Sequence, residues 1–217
     1  MLSELRKDYN KGILLEEGMN PDPIKQFSAW FDEALKAGVD EPNAMTLSTV
    51  DEEGKPSARI VLLKGVDERG FQFYSNYGSS KANNLVSNPH CSLVFHWQAL
   101  QRQVRVCGIA TKLLRDENEA YFRSRPRQSQ LSASISPQSQ RVESRDVLER
   151  LWLEAQSKYE GQPIPMPNNW GGYNVEVTRI EFWQGRPNRL HDRIEYKFED
   201  GSGEQGAGSW KKERLAP

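Results

Sequence analysis

A series of short β-type runs in the first half of the chain constrains the fold most strongly. Polar connections separate these runs, and two of them, residues 51–54 and 67–70, are short and end in glycine, as β-hairpin connections do. The predicted strands are residues 45–50, 57–63, 71–75, 92–97 and 104–111. Consecutive hairpins give an antiparallel meander, which closes most economically into a barrel.

Helices precede and interrupt this meander. Residues 22–38 begin with Asp22 as a cap and Pro23 at the first helical position, and they end at Gly38. The apolar face of this helix is predicted to contain Ile24, Phe27, Phe31 and Leu35. Further helices are predicted at residues 79–86, 116–125 and 144–159, the second opening with Asp116 and Glu119 at capping-box spacing and stopping at Pro126.

A second β-rich region closes the chain. Its predicted strands are residues 173–183, 191–198 and 210–214, and residues 199–209 are rich in glycine and acidic side chains, which predicts a mobile hairpin loop. No internal repeat or sharp change of composition marks a domain boundary. The sequence therefore predicts one α+β domain built on a barrel.

Composition excludes several classes of protein. The chain has 217 residues, with 29 Lys and Arg against 30 Asp and Glu, so a globally basic nucleic-acid binder is disfavoured. No run approaches the roughly 20 apolar residues of a membrane-spanning helix, and the first residues lack the pattern of a secretory signal, so we expect a cytoplasmic protein with no membrane partner. Two cysteines and three histidines show no metal-ligand spacing, so no metal site is expected.

The segment 180–193 carries the densest chemical signal. In a strand, Arg189, His191 and Arg193 would share one face and Leu190 would lie on the other. Two guanidiniums beside an imidazole favour an anion. The alternative is a strand face that is simply exposed to water. The neighbouring tryptophan-rich segment makes such exposure less favourable, so a binding site is slightly preferred.

Two further segments could hold a phosphate. Tyr121 and Arg125 share a helix face, and Ser129 follows the helix stop at Pro126. When they are taken alone, a helix end with an ordinary serine cap is the favoured explanation. The apolar run from Arg59 to Lys64 has a cation at each end, which strand ends reaching water also explain.

Together these segments resemble the pyridoxine (pyridoxamine) 5′-phosphate oxidase family. The resemblance rests on residues 181–184 and 189–193, which are similar to the family signature, and it extends from about Arg6 to the last residue. It also covers residues 59–64, 73–76, 101–104, 121–130, 170–172 and 213–217.

The resemblance implies an α+β fold: an antiparallel, Greek-key-like split β-barrel with peripheral helices, which binds FMN at the interface of a homodimer. It implies an oxidase that converts pyridoxamine 5′-phosphate or pyridoxine 5′-phosphate to pyridoxal 5′-phosphate, with dioxygen as acceptor and hydrogen peroxide released. Residues 1–20 would form a mobile segment that closes over the active site, and residues 21–217 a single FMN-binding domain.

The same resemblance assigns site residues. The FMN site would contain Arg59, Ile60, Val61, Leu62, Leu63, Lys64, Tyr74, Ser75, Ser80, Lys81, Gln103, Gln138, Ser139, Trp183 and Arg193. The substrate site would contain Arg6, Lys7, Asp8, Tyr9, Lys64, Tyr121, Arg125, Ser129, Arg189, Leu190 and His191, with Arg189 and His191 as the catalytic pair. Ser80 stands where the family often has a cation, so weaker retention of FMN is expected.

Two other functions stay open on the same barrel. A non-catalytic carrier of flavin or vitamin B6 phosphate would need no pair such as Arg189 and His191. A split-barrel flavin reductase would need no second phosphate pocket at Tyr121, Arg125 and Ser129.

Overall fold

One antiparallel sheet organises the part of the chain that the computed structural model describes, residues 1–5, 7–199 and 208–217. In these residues the strands are β1 (Ala44–Val50), β2 (Pro56–Leu62), β3 (Gly65–Asp67), β4 (Gly70–Asn76), β5 (His90–Trp97), β6 (Arg102–Lys112), β7 (Trp170–Gln184), β8 (Asp192–Glu199) and β9 (Ser209–Arg214). The helices are α1 (Pro23–Lys36), α2 (Ser80–Ser87), α3 (Arg115–Ser124), α4 (Arg127–Ile135) and α5 (Arg145–Lys158). None of these helices is long and apolar enough to cross a membrane.

The strand order is β2-β1-β5-β6-β7-β4-β3. Only Leu63 and Lys64 separate β2 from β3, and the Lys64 amide donates to the Gln72 carbonyl on β4, so the two ends of this order meet and the sheet curls into a barrel. The long strand β7 pairs with different strands along its length. Residues 170–175 pair with β4, and residues 179–184 pair with β8. Strand β8 in turn pairs with β9. Strand β7 therefore joins the curled sheet to the β8–β9 hairpin.

Helix α1 closes the barrel with an aromatic core. Phe27 is fully buried, and its ring lies 4.7 Å from Phe71 and 4.9 Å from Phe95 between ring centroids. The Asp22 carboxylate accepts from the Ile24 amide, which confirms the predicted cap. The predicted apolar face is wrong at Leu35, which is 54% exposed, because Trp30 and Ala34 occupy the buried positions instead.

Two local features differ from the sequence predictions, and one prediction is not tested. The N-terminus of α3 is capped by Glu117, which accepts from the Leu114 amide, whereas Glu119 pairs with two arginines of its own helix. Helix α4 and strand β3 were not expected as elements. The predicted loop at residues 199–209 falls mostly outside the described residues.

The expectation that Arg189, His191 and Arg193 alternate along one strand is also wrong. Pro187–Arg189 form a short 3₁₀ turn, in which Asn188 and Arg189 have φ values of 56° and 62°. Strand β8 begins only at Asp192, so of the three residues only Arg193 lies in the strand. The turn, and not strand alternation, sets the positions of Arg189 and His191.

Candidate active site

A cleft of about 660 Å³ lies between β2, β4 and the helical segment 121–138. It is lined by most of the residues that the resemblance assigned to FMN and to the substrate phosphate. These are Arg59, Ile60, Val61, Leu62, Lys64, Tyr74, Ser75, Lys81, Tyr121, Arg125, Ser129 and Gln138. The fold thus brings together three segments that are separated by up to 79 positions of sequence, from Arg59 to Gln138.

Arg59 is held in this cleft by residues of β1 and of its own strand β2. Its guanidinium donates to the Thr49 hydroxyl at 2.8 Å, to the Leu47 carbonyl at 3.2 Å and to the Ser57 hydroxyl at 2.5 Å. Burial lowers the pKa of Arg59 from its ordinary value. All these partners are neutral, so they orient the guanidinium but do not neutralise its positive charge.

Lys81 is buried on the first turn of α2. Its ammonium donates to the Ser75 hydroxyl at 3.1 Å, to the Ser79 hydroxyl at 3.3 Å and to the side-chain oxygen Oε1 of Gln138 at 3.1 Å. Burial lowers the pKa of Lys81, and the nearby charge of Arg59 lowers it further. Two cations that repel each other are therefore fixed in the same cleft, an arrangement that an anion would stabilise.

A stack of aromatic rings forms another wall of the cleft. Tyr74 stacks on Tyr121 with 3.8 Å between ring centroids and on Trp170 with 5.3 Å. The Arg125 guanidinium lies over Trp170, 4.7 Å from the ring centroid. One terminal nitrogen of Arg125 is buried and has no hydrogen-bond partner among the described residues. Burial lowers the pKa of Arg125 and raises that of Tyr121.

The charges of this cleft are unbalanced. Within the described part of the chain, Arg59, Lys64, Lys81 and Arg125 form no ion pair with a carboxylate. Buried donors usually have partners, and an unpartnered one costs about 1–3 kcal/mol. The cleft is therefore suited to ligands that carry anionic groups.

The predicted reacting-end residues lie in a second cleft of about 750 Å³. Lys7, Asp8, Tyr9, Arg189 and His191 line it. The Tyr9 ring contacts Trp183 and His191 edge-on, at 5.7 Å and 5.6 Å between ring centroids. Gly185 makes this possible, since a Cβ there would lie 2.7 Å from Cγ of Tyr9.

His191 has a defined hydrogen bond. Its Nδ1 accepts from the Arg186 backbone amide at 3.1 Å, so in this arrangement the neutral ring carries its proton on Nε2. Burial lowers the pKa of His191, Arg189 lowers it further, and Asp192 opposes both. The neutral imidazole is thus the favoured form near pH 7.

A third group lies across the split end of the sheet. Gln103, Trp183 and Arg193 are register partners on β6, β7 and β8. Arg193 donates to the Glu181 carboxylate through Nε at 2.9 Å and through a terminal nitrogen at 3.1 Å. None of these three side chains lines the 660 Å³ cleft of its own chain.

The other assigned residues also lie outside this cleft. Leu63 is buried in the core, Leu190 is 67% exposed, Ser80 is exposed at the start of α2, and Ser139 is exposed with φ of 70°. Arg6 lies outside the described residues. Sequence reasoning did not single out Thr49 or Glu181 as contacts of site arginines, because each lies on a different strand from its partner. It also missed Ser57, which is two residues from Arg59 on β2.

Comparison with known proteins identifies the family. Residues 31–158 match the family described as pyridoxamine 5′-phosphate oxidase, and residues 170–217 match the pyridoxine 5′-phosphate oxidase C-terminal dimerisation region. The chain belongs to the pyridoxamine 5′-phosphate oxidase family. It is 53% identical over 216 residues to the pyridoxine/pyridoxamine 5′-phosphate oxidase of Rubrobacter xylanophilus, covering 100% of this chain and 96% of that protein. It is 51% identical over 217 residues to the protein of the same name from Salinibacter ruber, covering 100% and 99%.

Solved structures of pyridoxamine 5′-phosphate oxidase relatives share the fold. PhzG from Burkholderia lata 383, crystallised with tetrahydrophenazine-1-carboxylic acid, matches with a TM-score of 0.86 and 28% identity over 94% of this chain and 98% of that chain. An FMN-binding protein of Nostoc punctiforme, related to pyridoxamine 5′-phosphate oxidase, matches with a TM-score of 0.69 and 17% identity over 92% of this chain and 100% of that chain. The split-barrel fold predicted from the sequence is confirmed.

Proposed function

We propose that this protein is an FMN-dependent oxidase that converts pyridoxamine 5′-phosphate or pyridoxine 5′-phosphate to pyridoxal 5′-phosphate. Dioxygen accepts the electrons and hydrogen peroxide is released. The curated relatives that match the whole chain bear the corresponding name. The observation that carries the proposal is a single cleft in which four cations have no carboxylate partner among the described residues and one buried nitrogen of Arg125 has no acceptor.

The cleft fits FMN. Arg59 and Lys81 would bind the flavin phosphate, because they form an oriented, unbalanced pair supported by Ser75, Ser79 and Gln138. The exposed or half-buried side of β2 at residues 59–62 would lie along the rest of the cofactor. When bound, FMN supplies the hydride acceptor.

The other half of the cleft fits a phosphorylated substrate. Arg125 offers its unpartnered nitrogen, and Lys64, Tyr121 and Ser129 add a charge and two hydroxyls. Anchoring the phosphate supplies binding energy that aligns the remote reacting end. Arg189 would orient that end as a cation, and neutral His191 would present its Nε2–H as a donor.

The two clefts explain why we propose a homodimer with active sites at its interface. Trp183, Arg189, His191 and Arg193 all fall within residues 170–217, the part that matches a dimerisation region. They lie outside the cleft that holds Arg59, Lys81 and Arg125 in the same chain. A second copy would bring its own Arg189 and His191 to that cleft.

Spectroscopy and turnover test the oxidase activity. Purified protein should show a flavin absorption spectrum and, on addition of pyridoxamine 5′-phosphate, should form pyridoxal 5′-phosphate and peroxide in equal amounts. Pyridoxamine without its phosphate is the matched control and should turn over far more slowly. A yellow protein that forms neither product would be a carrier, and one that requires a nicotinamide donor would be a reductase.

Mixing two inactive variants tests the shared site. Arg125→Ala and Arg189→Ala should each have low activity. If each site takes Arg125 from one chain and Arg189 from the other, a mixed dimer contains one site without either substitution and recovers activity. If both residues act in the same chain, mixed dimers stay inactive.

A further inference from the structure

Glu181 is a buried carboxylate on β7 that contacts two arginines on the neighbouring strands. Its side chain is 6% exposed. It accepts from Arg193 on β8 at 2.9 Å and 3.1 Å, and from Arg105 on β6 at 3.1 Å. The contact with Arg193 uses both carboxylate oxygens, the geometry that fixes a guanidinium most firmly.

Arg193 is also held by the segment that follows β9. Its remaining terminal nitrogen donates to the Ala216 carbonyl at 2.7 Å, and its own carbonyl accepts from the Leu215 amide. A guanidinium has five N–H hydrogens, so these contacts use three and leave two, one on each terminal nitrogen. The side chain is 25% exposed, so these two donors can reach an external acceptor.

We infer that Glu181 is a positioning residue for flavin binding, which it serves by fixing the orientation in which Arg193 presents its two free N–H donors. The inference rests on the proposed function and on the resemblance, which assigns Arg193 to the FMN site; in the proposed homodimer, Arg193 would reach the cleft of the second copy. It assigns Glu181 no contact with the flavin itself. Its effect passes through the guanidinium of Arg193, with the Ala216 carbonyl as a second support.

The positioning role and simple electrostatics predict opposite changes in flavin affinity when the Glu181 carboxylate is removed. Glu181→Gln removes a negative charge near the site of an anionic cofactor, which by charge alone would strengthen flavin binding. It also replaces one acceptor oxygen by an amide donor that faces the donors of Arg193, which would turn the guanidinium away. Weaker binding of flavin would therefore come from lost orientation and not from charge.

Glu195 provides a matched control. It lies on β8 as the register partner of Glu181, and its side chain is also largely buried, at 16% exposed. It pairs with Arg179 at 3.5 Å and makes no hydrogen bond to Arg193 in the described residues. Glu195→Gln thus removes the same charge from the same face while leaving Arg193 held.

The experiment dilutes FMN-loaded protein and follows the release of flavin by its fluorescence. We expect Glu181→Gln to raise the Kd for FMN about tenfold or more, as for loss of a charge-assisted contact. Glu195→Gln should leave the Kd within about twofold or lower it, because the ion pair that it breaks, with the half-exposed Arg179, contributes little. Arg193→Lys should raise the Kd, and adding Glu181→Gln to it should raise it no further, because both substitutions remove one contact.

The outcomes separate the inference from the proposed function. If Arg193→Lys raises the Kd but Glu181→Gln does not, the positioning role is overturned and the flavin site stands. If Arg193→Lys has no effect, the placement of Arg193 at the flavin fails, and the positioning role fails with it. If Glu181→Gln does not fold, Glu181→Asp keeps the charge but shortens the side chain that reaches Arg193, and an unchanged Kd for that variant overturns the inference.

Discussion

The guanidinium of Arg125 lies over the indole ring of Trp170, 4.7 Å from the ring centroid, and keeps one buried nitrogen without a partner among the described residues. The ring supplies an attractive surface for the cation but no hydrogen-bond acceptor. The donor is therefore fixed in place before a ligand arrives, and a ligand phosphate would satisfy it. Such preorganisation reduces the entropy cost of binding.

This relationship predicts the effect of Arg125→Lys. A lysine carries the charge but lacks the planar group that lies on Trp170, so we expect the substrate KM to rise about tenfold or more. FMN content should not change, since the flavin phosphate is assigned to other cations. Arg123→Lys is the control: Arg123 is 78% exposed and pairs with Glu119, and its KM should match that of the unmodified protein. Equal effects of the two substitutions would contradict the role of Arg125.

Gly185→Ala should displace Tyr9 from the second cleft. The new Cβ would lie 2.7 Å from Cγ of Tyr9, a distance that forces the ring to move. Overpacking of this kind costs about 1 kcal/mol or more, so we expect the substrate KM to rise about fivefold. Gly18→Ala is the control, because a Cβ there would meet nothing within 4 Å. Steady-state kinetics measure both, and an unchanged KM for Gly185→Ala would show that Tyr9 does not act on the substrate.

Arg189→Ala should change both turnover and the titration of His191. The pKa of His191 is lowered by burial and then by the charge of Arg189, so removing that charge should raise it. A proton titration of the imidazole by NMR measures this shift. Turnover should fall more than FMN affinity does, and loss of flavin with unchanged turnover per bound flavin would count against a role at the reacting end.

The lowered pKa of His191 means that the folded protein loses stability when the pH falls and this histidine becomes protonated. The fold favours neutral His191, so its contribution to stability is complete above the pKa of an unfolded histidine, about 6.5. That contribution is lost as the pH falls from there through the pKa of the folded state. In Arg189→Ala the pKa of His191 is lowered less, so the free energy of unfolding should fall less over the same change of pH.

Ser80→Arg should strengthen FMN binding. Ser80 is exposed at the first turn of α2, next to the buried Lys81, where an arginine could add a charge-assisted hydrogen bond to a phosphate. Such bonds contribute about 1.5–3 kcal/mol, so the Kd should fall about tenfold when flavin-free protein is titrated with FMN. Ser87→Arg, at the exposed far end of the same helix, controls for added charge. An unchanged Kd for Ser80→Arg would defeat the prediction.

Phe27→Ala should destabilise the barrel strongly. Phe27 is 0% exposed and contacts the rings of Phe71 and Phe95. Replacing a buried phenylalanine costs about 3–5 kcal/mol of unfolding free energy. Leu35→Ala on the same helix should cost less than about 0.5 kcal/mol, because Leu35 is 54% exposed. Chemical denaturation of both variants checks this difference.

Local patterns determined much of the fold. The strands of the meander and the cap at Asp22 follow from alternation, turn residues and side-chain acceptors, all of which act over a few neighbouring positions. Predictions from local patterns failed where the signal was ambiguous. At Leu35, only packing decides which of several apolar residues face the barrel. They failed also at residues 187–191, where a backbone turn with positive φ interrupts the expected strand.

The sequence by itself determined the fold class and, through the resemblance, the family. The tertiary structure decided how the assigned residues are grouped: Arg59, Lys81 and Arg125 share one cleft, whereas Arg189 and His191 lie in another beside Tyr9. It also revealed the partners that hold these residues, such as Thr49 for Arg59 and Glu181 for Arg193. The physical reason is that charge balance, burial and hydrogen bonding depend on neighbours that are distant in sequence, and only strand pairing and helix packing bring those neighbours together.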